Sequence, residues 1–302
     1  MENLALFGFE ALWSPYYFTV LVILAAVYYS AGKHRKKWFK NSEEVSAKQK
    51  ASFYGGLALL YILKGSPFDL LGHILFSVHM TQMALVYLVV SPLLIIGIPG
   101  WMWNLILLRS PVRRIFMFLT QPILALILFN GIFSFYHTPL IFDIVKTNPA
   151  YHAAATSLIF FTSICMWWPL FRKRGDSGEM SSLMKMGYIF ANGVLLTPAC
   201  ALIIFAKDPL YAAYSDPASW MSAMALCVPG ATLSGLSLSG PEVFTSIPLT
   251  EDQQLGGILM KIIQEAVYGT ILGCVFFKWV RIEREKDKRE LQAILSEKGH
   301  RI

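Results

Sequence analysis

The chain has 302 residues, 55% of them hydrophobic and only 15% charged, with a mean hydropathy of +0.52. Apolar runs near or above the roughly 20 residues needed to cross a bilayer exclude a pair of soluble domains. No ten-residue alternation marks an outer-membrane barrel. The net charge of +7 comes from basic residues in short loops between apolar runs, which is how topology is encoded and not a nucleic-acid surface.

The fold class predicted is all-α, a polytopic membrane helical bundle with seven transmembrane helices. A first span over about 16–31 follows Glu2 and Glu10 and precedes Lys33-His34-Arg35-Lys36-Lys37. That charge order is opposite to a cleavable signal peptide's and puts the N-terminus outside. A short second span, about 51–63, ends at the outer turn Lys64-Gly65-Ser66-Pro67. The third runs over about 70–98, with Pro92 expected to kink it. Trp101 and Trp103 then suit an interface before Arg109, Arg113 and Arg114 inside.

A fourth span covers about 115–135, and a fifth runs from about 152 to 171, before the basic run Arg172-Lys173-Arg174. The sixth covers about 184–206. The segment 207–251 is rich in Gly, Ser and Pro and is expected to lie on the outer face or dip into it. A seventh span over about 255–280 leads into a charged cytoplasmic tail, 281–302. Of the 26 Lys and Arg, only Lys64, Lys146 and Lys207 fall outside, and Lys185 and Lys261 fall in spans. The rest lie in the cytoplasmic loops and tail, which predicts an external N-terminus and a cytoplasmic C-terminus.

Within the third span, Asp69 to Met83 carries two imidazoles, two thioethers and a carboxylate. Polar groups in hydrocarbon cost several kcal/mol unless satisfied, and ionisable ones there are functional candidates. Of six histidines, His34 and His300 belong to cytoplasmic basic segments. The other four, His73, His79, His137 and His152, fall in one layer at the outer face and come from three different spans. His79 and Met83 share one helix face, and His73 and Met80 share a neighbouring one. Imidazole with thioether is a ligand set suited to copper, the sulfur favouring Cu(I). Asp69, Asp143 and Asp252 stand at the same level as orienting partners.

In the seventh span Lys261 and Glu265 are spaced for an intramembrane ion pair, the feature a transporter path would use. A haem held between His79 and His137 or His152 is a further alternative. The four cysteines, Cys165, Cys200, Cys227 and Cys274, are widely spaced and read as small hydrophobes. No GxSxG, HExxH, P-loop or dinucleotide signature occurs, so no enzyme is expected.

Several motifs resemble those of the Bacillus-type CtaG proteins, assembly factors for caa3-type cytochrome c oxidase. They are His79-Met80-Thr81-Gln82-Met83, Ser91-Pro92-Leu93-Leu94, Phe135-Tyr136-His137-Thr138-Pro139 with Phe142-Asp143, His152 ahead of Trp167-Trp168-Pro169, and Asp252-Gln253-Gln254-Leu255-Gly256-Gly257. The resemblance implies a multi-pass protein of the bacterial plasma membrane, in contact with lipid, that helps mature the oxidase by handling copper for its catalytic subunit. A copper donor protein would then be a further partner. Many members carry a second histidine where this chain has Met83 and another where it has Thr156, so the implied site here is leaner and softer.

Overall fold

The computed structural model describes residues 2–38, 42–107, 110–172, 180–235, 240 and 243–299. Among them every regular element is helical. A short 3₁₀ turn, Glu2–Phe7, leads into α1 (Gly8–Trp13) and α2 (Pro15–Lys33), then α3 (Arg35–Trp38) and α4 (Ala47–Lys64). The expected third span is divided into α5 (Pro67–Ile74), α6 (Phe76–Leu85), a π-helical turn at Val86–Val90 and α7 (Ser91–Gly97). Then come α8 (Gly100–Ile106), α9 (Ser110–Leu119), α10 (Pro122–Tyr136), α11 (Pro139–Lys146), α12 (Pro149–Phe171) and α13 (Ser182–Ile204). Three short helices, α14 (Ala212–Ser215), α15 (Pro217–Met224) and α16 (Gly230–Ser234), precede the 51-residue α17 (Leu249–Gly299).

Helix starts are written plainly in the sequence. Proline occupies the first turn of α2, α5, α10, α11, α12 and α15, where its missing N–H costs nothing and its φ is already helical. Ser46 and Gln49 form a reciprocal capping box on α4, and Asn148 and Asp216 cap α12 and α15 through their side chains.

Five helical segments are long and apolar enough to cross a membrane: Gly8–Lys33, Phe76–Gly97, Pro149–Phe171, Ser182–Ile204 and Leu249–Gln292. A sixth arises if Pro111–Leu119 and Pro122–Tyr136, bent by 78° at their junction, form one broken span. That bend interrupts the continuous fourth span expected over 115–135. Pro122 lacks the N–H a continuous helix needs, and Gln121 turns extended ahead of it. The short α4 is not among these spans. Its charged ends, Lys48, Lys50 and Lys64, leave only Ala51 to Leu63 apolar, about 20 Å of helix.

The third span departs from a simple Pro92 kink. Leu75 is extended, φ −116° and ψ 125°, and breaks the helix between His73 and His79. The π turn lies just before Ser91-Pro92, and the Ser91 N–H bonds back to the Val86 carbonyl. Widening the ladder there accommodates the proline ring, whose N cannot donate.

Polarity is inverted relative to a water-soluble bundle. Ile123, Ile127, Phe190, Val194, Leu202, Ile258 and Ile262 face outward, while Asn130, Asn192 and Gln264 are buried. The amide of Asn192 bonds the Tyr268 hydroxyl (2.7 Å) and accepts from Asn130 (2.6 Å), so Asn130, Asn192 and Tyr268 are linked inside the bundle. The last long helix packs chiefly against α13 and α6. Gly256 and Gly257 permit that approach. A Cβ on Gly256 would come within 2.8 Å of Phe76, and one on Gly257 within 2.7 Å of Ile204.

The segment before α17 folds back over the bundle end. Trp220 and Met224 of α15 are fully buried with Leu70 and Ile74 of α5 and with Leu4, Phe7 and Ala11. It forms a lid over the region from which the histidines project.

Candidate metal centre

The break at Leu75 makes the site. It creates a new helix start inside the bundle, and the buried Asp252 carboxylate takes it over. Oδ2 accepts the Phe76 N–H at 2.6 Å and the Ser77 N–H at 3.4 Å, and Oδ1 accepts the Ser77 hydroxyl. A carboxylate at a helix N-terminus is favoured by both the free N–H groups and the dipole. On the N-terminal side of the break, at the end of α5, the Tyr214 hydroxyl donates to the Gly72 carbonyl at 2.6 Å. Gln82 donates to the Leu63 carbonyl and to Asp69 Oδ1.

One helical turn inside this start lies His79, 2% exposed. Neither of its ring nitrogens has a hydrogen-bond partner. Its surroundings are aromatic, with ring centroids of Phe142 at 5.4 Å, Phe76 at 5.9 Å, Tyr136 at 6.3 Å and Tyr214 at 6.4 Å. A buried polar atom without a partner costs about 1–3 kcal/mol, so an imidazole with both nitrogens idle points to a ligand.

Two of the other three histidines are oriented by backbone carbonyls. His137 is the C-cap of α10, and its Nδ1 lies 2.8 Å from the Phe133 carbonyl. A carbonyl can only accept, so Nδ1 carries the proton and Nε2, unpartnered and buried, presents a lone pair. His73 Nδ1 is held in the same way by the Ala223 carbonyl at 3.1 Å. His152, in the first turn of α12, leaves Nδ1 unpartnered.

The rings fall into two neighbouring pairs, His79 with His137 at 6.4 Å and His73 with His152 at 5.8 Å between centroids. His79 and His152 also line one cavity of about 270 Å³, shared with Met83, Gln82, Lys64 and Thr156. The four histidines are thus brought near one another from α5, α6, α12 and the end of α10.

The two methionines part company. Met83 lines the cavity with His79. Met80 is fully buried and turned toward α17, where its Cγ would lie 3.1 Å from a Cβ on Gly256. The three carboxylates also differ from one another. Asp252 serves the start of α6, and Asp143 accepts the N–H groups of Ala212 (3.1 Å) and Ala213 (2.9 Å), holding α14 in place. Neither carboxylate is bonded to a histidine. Asp69 stays near His73 and pairs with Lys64 Nζ at 2.6 Å.

Lys261 and Glu265 do pair, at 2.7 Å, and Lys261 also donates to Thr197. The Glu265 side chain is 62% exposed, so the pair lies on the outer face of α17 and not on the cavity wall. The buried residue between them is Gln264.

Several participants carry no sequence signal of their own. Tyr211 and Tyr214 come from the Gly- and Ser-rich segment, and their hydroxyls donate to the carbonyls of His137 (2.9 Å) and Gly72. Lys146, 1% exposed, places its ammonium 5.7 Å from the Tyr214 ring centroid. Burial, and then the charge of Lys64, lowers its pKa from 10.5 to about 7, which weakens positive charge beside the imidazoles.

Fold and site define an all-helical protein with several membrane-length helices and a buried cluster of lone-pair donors near one end. Residues 26–282 match the family described as cytochrome c oxidase caa3 assembly factor (Caa3_CtaG), and the chain belongs to that family. No curated protein and no solved structure matches the chain.

Proposed function

We propose that this member of the caa3 oxidase assembly-factor family binds Cu(I) at His79, with Met83 and His152 of the shared cavity and the neighbouring His137 as further donors, and delivers it to the oxidase. The observation that carries this reading is His79, buried with neither ring nitrogen bonded, beside a thioether and two further imidazole lone pairs. Uncharged nitrogen and sulfur donors suit a soft monovalent ion, which adds one charge to a poorly solvating site. Two imidazoles bound at about 2.0 Å on opposite sides of one ion have centroids roughly 6 Å apart, close to the separation of His79 and His137.

The receiving partner is the nascent catalytic subunit of the oxidase, with a copper donor protein upstream. The protein lies in the bacterial plasma membrane with lipid around it, and its role is not catalytic. Its topology is seven-span with the N-terminus outside, the short α4 being the seventh crossing, because the loop lysines and arginines gather on one side. Copper titration of the purified protein under reducing conditions tests the site. His79→Ala and His152→Ala are expected to lose the bound ion, and unchanged stoichiometry in both would overturn the reading.

The rival readings have less support. A transport path through Lys261 and Glu265 would need that pair to face a cavity, and Glu265 faces outward. A haem between His79 and His137 would have to displace Phe142, whose ring stands 5.4 Å from one and 6.2 Å from the other.

A further inference from the structure

Beyond the histidine pocket, the lid brings a cysteine to the outer side of α5. Cys227 lies in the turn after α15, whose N–H bonds the Met224 carbonyl at 3.1 Å. One donor atom each from Asp69, His73 and Cys227 lies within 4.8 Å of the other two. Asp69 and His73 are four apart on α5 and share a face, while Cys227 arrives from more than 150 positions along the chain.

We propose that Asp69, His73 and Cys227 form a second metal site, separate from the copper pocket, that takes a divalent ion of the zinc class. Two of the donors are prepared by their own contacts. His73 is 3% exposed and its Nδ1 is held by the Ala223 carbonyl, which leaves Nε2 as the ligand nitrogen. That carbonyl is the oriented outer partner a ligating histidine normally has. Both bonds to Asp69, from Lys64 at 2.6 Å and from Gln82 at 2.8 Å, fall on Oδ1 and leave Oδ2 outside them. Thiolate and carboxylate each carry a negative charge, one of them paired with Lys64, and so suit a divalent ion, where the donors to copper are uncharged. Three protein donors leave a fourth position of a tetrahedral ion open to water or an incoming group.

On binding, the Cys227 S–H bond breaks, the sulfur–metal bond forms and one proton leaves to solvent. The ion keeps its oxidation state. The bound ion would fasten the lid segment to α5 at the edge of the histidine cluster, where the His73 and His152 rings are 5.8 Å apart.

Cobalt(II) serves as the probe, because a cobalt–thiolate bond gives a charge-transfer band in the near ultraviolet. The purified full chain is expected to show this band, to lose it in Cys227→Ser, and to keep it in His79→Ala and Cys274→Ser. Loss in Cys227→Ser with retention in His79→Ala separates this site from the copper pocket. Asp69→Asn is expected to weaken cobalt binding without removing the band. No band in the unaltered protein, or one that survives Cys227→Ser, would overturn the proposal.

A second measurement needs no variant. Zinc is expected to slow maleimide labelling of Cys227 at least about tenfold, since a bound thiolate is no longer a free nucleophile. A chelator should reverse the effect, with the exposed Cys274 labelled equally under both conditions. Unchanged labelling of Cys227 would count against the site.

Discussion

Asp252 accepts the backbone N–H of Phe76 at 2.6 Å across 176 positions of sequence. The first turn of the last long helix thereby holds the start of the helix that carries His79. The carboxylate is 4% exposed and also takes the Ser77 N–H and hydroxyl. Asp252→Ala is therefore expected to cost about 1.5–3 kcal/mol, the range for hydrogen bonds to a charged group. Thermal unfolding in detergent is the measurement. A midpoint equal to that of the unaltered protein would show that the cap is not needed.

Gly97 makes a sharper test of packing. A Cβ there would stand 2.6 Å from the Phe53 backbone N and 2.8 Å from its Cα, and backbone cannot rotate away as a side chain can. Gly97→Ala is expected to destabilise the α4–α7 contact by about 1–3 kcal/mol, the usual range for overpacking. Gly269→Ala, with nothing within 4 Å of its added methyl, is the control and should be neutral or slightly stabilising. Equal midpoints for the two variants would contradict the close approach of α4 and α7.

Lys146 gives a pH dependence with a definite sign. Its pKa falls from 10.5 to about 7 on burial, so the unfolded chain holds the proton over that interval while the folded chain releases it. Stability from this residue is complete above pH 10.5 and is lost as pH falls toward about 7. Lys146→Met keeps the volume and removes the titration. Its midpoint is expected to exceed the unaltered protein's near pH 7 and to show a smaller rise with pH. Identical pH profiles would show that the ammonium is not buried in solution.

What could be read from sequence follows from which forces are local. The meeting of His73, His79, His137 and His152 was legible because lipid excludes polar side chains, so imidazoles in or beside apolar runs turn toward one another inside the bundle. Proline and Ser, Asn or Asp caps stand at many of the helix starts for a similarly local reason. The break at Leu75 was not legible, because its cost is offset by Asp252, far along the chain. The roles of Asp143 and Met80 were hidden likewise. Asp143 is recruited by α14, and Met80 turns to α17 only because Gly256 leaves room. Cys227 carried no spacing signal, and it acquires metal-ligating neighbours only when the lid folds onto α5. The 78° bend before Pro122 shows the opposite failure. The proline was visible, but continuous apolarity read through it.

His79, with both nitrogens unpartnered, is the proposed ligand on which the copper site depends. X-ray absorption at the copper edge of protein loaded with Cu(I) tests it most directly. A low coordination number is expected, with imidazole nitrogen and one sulfur bound to the copper, and loss of the bound copper in His79→Ala. Full copper occupancy with an unchanged spectrum in His79→Ala would contradict it.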